Sequence, residues 1–344
     1  MGSNIETLPP GTGPISPKQI AFASASFLLG LWTFRTVNAI SGPQFEPIIA
    51  ACTDPSIAIE EFAAKTGYHV YEPRVGLQVF NFLVCLITQF LFELRQTPPA
   101  GLLVWCGIIV VVPTYSIFAT VEAARHGARG PIRYPMIFGM LGQLIGISVT
   151  VPLLWVPSYI LGGGTGPVHP ARSYLSVLLC LPTLLLTVVV FTADVDGSLW
   201  TTSAGILGGP GLVLCGAALW PVPAAPASPS PDYVRASAQA IRTAYRIAAA
   251  VAAVGYLYLL RIAHAEYGWD VSALWRAVWT EAGSSVAFMT VDTIVLYVGV
   301  LSYVACRSGA GVVKAALLTP FVGPAAASLV LAELEEKRGK EKEL

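Results

Sequence analysis

Residues 285–306 read Ser285-Val-Ala-Phe-Met-Thr-Val-Asp292-Thr-Ile-Val-Leu-Tyr-Val-Gly-Val-Leu-Ser-Tyr-Val-Ala-Cys306, an apolar stretch with a single charged member. A helix rises about 1.5 Å per residue, so this stretch reaches across the roughly 30 Å hydrocarbon core of a bilayer. An aspartate at the centre of such a helix costs about 2.5–3.5 kcal/mol on the insertion scale, so it marks either function or a buried partner.

Working outward, runs of the same kind lie near 19–39, 76–95, 100–122, 135–160, 172–193, 199–220, 241–262 and 312–331. The whole chain agrees: 55% of its 344 residues are hydrophobic, 12% are charged, and mean hydropathy is +0.67. A water-soluble globule carries about twice that charge. The expected fold is therefore all-α, a polytopic transmembrane helical bundle of 8–9 spans. The lower count applies if 312–331, with Lys314, Pro320 and Pro324, is re-entrant. No internal repeat is visible, which weakens an inverted-repeat transporter reading. Lys and Arg balance Asp and Glu at 20 each, leaving no basic excess for nucleic acid. Five of six cysteines fall in apolar runs, Cys52 being the exception, and they read as small core residues rather than a disulfide framework.

Between the spans, residues 1–17 read as a disordered leader and 18–335 as the bundle. Residues 40–75 form an extramembrane loop or lid, with Asp54 a helix cap before Pro55, and 221–240 a Pro-rich linker. Residues 266–282 suggest an interfacial helix anchored by Trp269, Trp275 and Trp279. Residues 336–344 form a charged cytosolic tail. With nine spans, loop basic residues divide 11 to 8 in favour of the face bearing that tail, a weak positive-inside bias. Lys340 and Lys342 fit a K-x-K-x-x retrieval signal, which would place the protein in the endoplasmic reticulum with a cytosolic C-terminus; a solvated charged end is the alternative.

Each ionisable group in or beside a span has two readings. Asp292 is a proton donor or a structural hydrogen-bond partner, with Arg35 a candidate pairing cation or a snorkelling side chain. Glu122, near Arg125 and His126, is a tuned acid or an interfacial ion pair. Asp194 and Asp196 are two close carboxylates, one pushed toward protonation, or a surface turn. Asn81 and Gln89 share the polar side of 76–95, followed by Glu93, as a cavity wall or as interhelical glue. Trp155 and Tyr159 present rings to a cavity or belong to an interfacial belt. Gly142 and Gly146 give a small-xxx-small contact. No metal-binding aspartate run, H-E-x-x-H or P-loop occurs, which argues against a diphosphate-ionising enzyme, a metalloprotease or an ATP-driven pump.

Taken along 75–335, the pattern resembles the fungal integral-membrane terpene cyclases of meroterpenoid biosynthesis, of the ascochlorin/ascofuranone type. The resemblance is carried by Glu122-Ala-Ala-Arg125-His126-Gly127, by Gly142-Gln143 with Val151-Pro152-Leu153-Leu154-Trp155-Val156-Pro157, and by Thr319-Pro320-Phe321-Val322-Gly323-Pro324. It implies a membrane-embedded acid that protonates the terminal epoxide of a farnesylated aromatic substrate and cyclises it, with no metal or redox cofactor. The partners implied are a lipophilic prenylated aromatic and membrane lipid. Catalytic candidates are then Asp292 or Glu122, with Asp194, Asp196 and Glu93 behind them; Trp155, Tyr159, Asn81, Gln89 and Arg35 are substrate-contact candidates. A proton-coupled small-molecule transporter would use the same buried acid.

Overall fold

The computed structural model describes residues 15–53, 61, 78–178, 224–226 and 228–341. Among them every regular element is helical. Four helices are long and apolar enough to cross a membrane: α1 (Pro17–Thr53, over Pro17–Pro43), α3 (Ala100–Ala123), α7 (Pro231–Tyr267) and α9 (Ser284–Arg307). The remainder are α2 (Gln78–Gln96), α4 (Pro135–Ile145), α5 (Ile147–Gly162), α6 (Pro170–Leu178), α8 (Val271–Trp279), α10 (Gly309–Val322) and α11 (Pro324–Glu341). Exposed Phe27, Leu28, Leu31, Trp32, Leu257, Leu317 and Phe321 give the bundle an apolar outer face, as a lipid solvent requires.

Helix α3 is the centre, buried along nearly its whole length, and α9 runs beside it in the same direction. Gly107 of α3 permits the contact, since a side chain there would stand 3.3 Å from the Thr293 methyl. At their C-terminal ends Tyr303 donates to Glu122 at 2.7 Å. That end also holds Arg125 and Arg307 and is called the arginine end below.

The stretch 135–160, expected as a single crossing, is a hairpin, and 312–331 takes the re-entrant alternative as part of a second one. Helices α4 and α5 are about 17 and 24 Å long, each short of a crossing. Between them Gly146 has φ +92°, a conformation open to glycine and disfavoured for L side chains. The stretch 135–160 therefore enters and returns, and its exit is bonded to its entrance: the Arg129 N–H donates to the Gly162 carbonyl at 2.8 Å. Helices α10 and α11 repeat the device at Gly323, φ +82°, beside Tyr256 of α7. Glu333 of α11 then comes back to Arg242 near the start of α7.

The order of elements consequently occurs twice: α1–α2–α3–(α4–α5) and α7–α8–α9–(α10–α11). The first helices have 37 residues each, and the central ones 24 each. Packing repeats as well. In each unit the first helix lies on its own returning helix: Ser26 donates to the Pro152 carbonyl at 2.7 Å, and Arg242 meets Glu333 at 2.6 Å. Each first helix also lies against the other unit's central helix, Val37 clustering with Val291 and Val295 and Gly255 accommodating Val110. The two units thus share one order of elements and one pattern of packing, in the manner of a parallel repeat. Hydropathy did not show it because equivalent positions share an environment rather than residues.

Further corrections follow. Helix α1 continues through 40–53, part of the expected lid, with Pro43 and Pro47 inside it, because Ile48 is buried and Phe45 stacks on Phe90 of α2. Its distal end is disulfide-bonded, Cys52 to Cys85 of α2, so these two cysteines are not isolated core residues. Cys106 and Cys306 are free and buried. Both named contacts of α2, Cys52 and Ser285 at the start of α9, belong to the end opposite the arginines, so 76–95 stays there. Helix α7 begins at Pro231, inside the expected linker 221–240, because Ser230 caps it by accepting from the Tyr233 N–H at 3.2 Å. Helix α11 extends to Glu341 and buries Glu336, so the charged tail does not begin at 336. The leader up to residue 14, residues 54–60 and 62–77 of the lid, and spans 172–193 beyond 178 and 199–220 lie outside the described residues.

The hairpins also redistribute charge. Lys18, Arg125, Arg129, Arg133, Arg172, Arg235, Arg242, Arg246, Arg307, Lys337, Arg338 and Lys340 belong to the arginine end and Arg95, Arg261 and Arg276 to the other, twelve against three among the described residues, with Arg35 and Lys314 inside α1 and α10.

Candidate functional site

Asp292 sits a third of the way along α9, opposite the break in the first hairpin. A side chain on Gly146 would stand 3.7 Å from its Oδ1. Ser148, second residue of α5, donates its hydroxyl to that oxygen. The carboxyl, 4% exposed, thus faces a helix N-terminus, where N–H groups lack intrahelical partners and the helix dipole favours negative charge. No cation pairs with it among the described residues. Arg35, its expected partner, points outward from α1 and is exposed; a helix face turned to lipid lets the side chain snorkel rather than enter the bundle.

Glu93 is placed similarly but does a different job. It accepts from the Ser285 N–H at 3.2 Å and from the Ser285 hydroxyl at 2.5 Å, capping α9 from a neighbouring helix. Gly283 makes room, because a Cβ there would fall 1.7 Å from Oε1.

Glu122 belongs to a clasp at the arginine end. Its Oε1 accepts from Arg125 at 2.8 Å, Tyr303 at 2.7 Å and Arg307 at 3.2 Å. Glu336 accepts from Arg307 at 2.6 Å and also pairs with Arg125. Two guanidiniums and two carboxylates cancel formally, which makes their shared burial tolerable. Burial alone would push the Glu336 carboxyl up, but Arg125 and Arg307 hold it at about 2. The Arg125 guanidinium is held well above its ordinary value: burial opposes its charge, and Glu122 and Glu336 outweigh the burial.

Below the clasp lies an aromatic stack. Tyr303 packs on Phe118 with centroids 4.3 Å apart and on Tyr159 at 5.0 Å; Trp155 lies 5.8 Å from Tyr159 and 5.3 Å from Tyr115. Trp155 and Tyr159 are each 1% exposed, so they form no interfacial belt. Trp155 Nε1 and the Tyr115 hydroxyl have no hydrogen-bond partner among the described residues.

Thus Asp292, Trp155 and Tyr159 lie on one α5–α9 seam, with Glu122 at its arginine end. Glu93 and the buried Gln89 are on α2 at the opposite end. The Asn81 side chain, Asp194 and Asp196 lie outside the described residues. Ser148, Ser285, Tyr303, Arg307 and Glu336 went unpredicted. The spacing of Tyr303 to Arg307, one helical turn at the end of a span, is the sequence signal that could have found two of them. Among the described residues no group of three or more His, Cys, Asp or Glu is disposed to hold a metal. No family model, no curated protein and no solved structure matches this chain.

Proposed function

We propose that the chain is a membrane-bound cyclase in which Asp292 protonates the terminal epoxide of a farnesylated aromatic substrate. The supporting observation is how the buried acids are held: Glu122, Glu333 and Glu336 are paired with arginines, Glu93 caps a helix, and Asp292 meets Ser148 inside the bundle with no cation among the described residues. A carboxylic acid in such surroundings can give up a proton when the product carboxylate is stabilised, and Ser148 with the α5 N-terminus offers that stabilisation. The epoxide C–O bond breaks as its oxygen takes the proton, an alkene or hydroxyl of the same molecule attacks the cation, and loss of a proton to the carboxylate restores the acid. Substrate and product are isomers. Trp155 and Tyr159, about 10–16 Å along α5 from Ser148, are suited to face developing positive charge.

The protein is placed in the endoplasmic reticulum with the arginine end, and therefore both described chain ends, in the cytosol. Twelve basic residues against three favour this by the positive-inside rule, and a disulfide at the other end suits an oxidising lumen. With the hairpins counted as dips and α2 as lumenal, the crossings among the described residues are four: α1, α3, α7 and α9.

A proton-coupled carrier is the second reading, favoured by broken helices that meet a buried acid inside the bundle. Microsomes containing the protein, given an epoxyfarnesyl phenol and no cofactor, decide between them: a cyclised isomer supports the enzyme, and uptake of unchanged compound supports the carrier.

A further inference from the structure

The two hairpins occupy equivalent places in the duplicated bundle, yet their returning helices are fastened differently. The end of α5 is fixed by main chain: Arg129 N–H to Gly162 carbonyl at 2.8 Å and Gly166 N–H to His126 carbonyl at 3.1 Å. Glycines let these backbones touch, since a Cβ on Gly162 would stand 2.2 Å from the Arg129 oxygen and one on Gly164 would stand 2.6 Å from the Ala128 nitrogen. The end of α11 is held by side-chain ion pairs, Glu333 to Arg242 and Arg246 at 2.6 and 2.9 Å, and Glu336 to Arg125 and Arg307. Side-chain ion pairs can part and re-form without breaking main-chain hydrogen bonds, and those of Glu333 meet solvent through Arg242 and Arg246, whereas those of Glu336 are buried.

The seam under α11 is also incompletely satisfied. Ser328 of α11 and Tyr245 of α7 are both 0% exposed, and neither hydroxyl has a partner among the described residues. Thr150 and Trp155 of α5 are likewise unpaired among the described residues, so the two hairpins differ in their fastening and not in this respect. The hairpin turns at Gly323, and the outer face of α10 carries exposed Val313, Leu317 and Phe321 with nothing packed on them among the described residues. Tyr245 in turn lies edge-on to Phe118 at 5.4 Å, which stacks on Tyr303, so the seam leads to the aromatic stack.

We infer that the α10–α11 hairpin is the movable half of the duplication and that Glu333 and Glu336 are its latch, opening to admit molecules to the buried aromatic seam. The device is independent of whether that seam performs cyclisation or transport. Its test is hydrogen–deuterium exchange of the full-length protein in lipid nanodiscs, comparing amides of 309–341 with those of 135–162. The latch predicts exchange at least about tenfold faster in 309–341, as for a segment that opens sub-globally. Glu333→Gln with Glu336→Gln should accelerate 309–341 further and leave 135–162 unchanged. Equal protection of the two hairpins in the unaltered protein, or acceleration of both by the paired substitutions, overturns the inference. The first comparison needs no variant, so a folding defect in the second cannot shield the idea.

Discussion

The Ser148 hydroxyl donates to the Asp292 carboxyl across 144 positions of sequence, joining the break in one unit's hairpin to the central helix of the other. The bond places the acid on the interface between the units.

If Asp292 is the proton donor, Asp292→Asn should lower conversion of an epoxyfarnesyl phenol by about 100-fold, the usual loss on removing a general acid, with the amount of protein in membranes unchanged. Ser148→Ala should lower it by a smaller factor. Activity normalised to protein is the measurement, and near-normal turnover by the Asn variant would sink the mechanism.

Gly323→Ala and Gly146→Ala both place a side chain at positive φ, which disfavours it by roughly 1–2 kcal/mol. At Gly323 the new Cβ would also lie 2.6 Å from Tyr256, whereas at Gly146 its nearest neighbour is 3.7 Å away. Thermal unfolding in detergent should therefore fall further for Gly323→Ala. The reverse order would contradict the packing at the second hairpin.

Glu336 is depressed to about 2 in the folded chain, against about 4.3 for an ordinary glutamate. A depressed acid stabilises the fold above its unfolded value, and that contribution is lost as pH falls through the folded value. The clasp should thus be intact from pH 5 upward and weaken between about pH 4.5 and 2, by on the order of 3 kcal/mol in all. Melting temperature followed across that window should fall less steeply for Glu336→Gln than for the unaltered protein.

Orientation is open to direct assay. A maleimide-polymer tag should shift Cys52 and Cys85 in denatured protein only after reduction. Acceptor sites for N-glycosylation inserted with spacers between α7 and α8 should be modified, and those between residues 126 and 134 should not. Modification in the latter would invert the placement of the arginine end.

How much of this was legible depended on what hydropathy can register. Residues 100–122 and 285–306 were plain because a long uninterrupted apolar run has one economical solution in lipid. Residues 135–160 differ from the expectation because a helix that dips and returns is as apolar as one that crosses; the deciding residue, Gly146, shows its size in the sequence but not its φ. Glu336 looked like part of a solvated Glu/Lys end, since nothing local reveals that Arg125, 211 positions away, is waiting for it. Asp292 was visible as an oddity from composition alone, whereas its partner Ser148 was not, since a serine in a helix is ordinary.

Each unit of the duplication contains two helices of crossing length and one dip, so a chain entering it from the arginine end leaves by the arginine end. A segment with that property can be copied in tandem and read a second time by the insertion machinery without inverting its flanking charges. Units with an odd number of crossings cannot, and need opposite charge biases in their two copies. Gly146 and Gly323, by turning the chain back, keep the count even, and the same basic flank then anchors both copies.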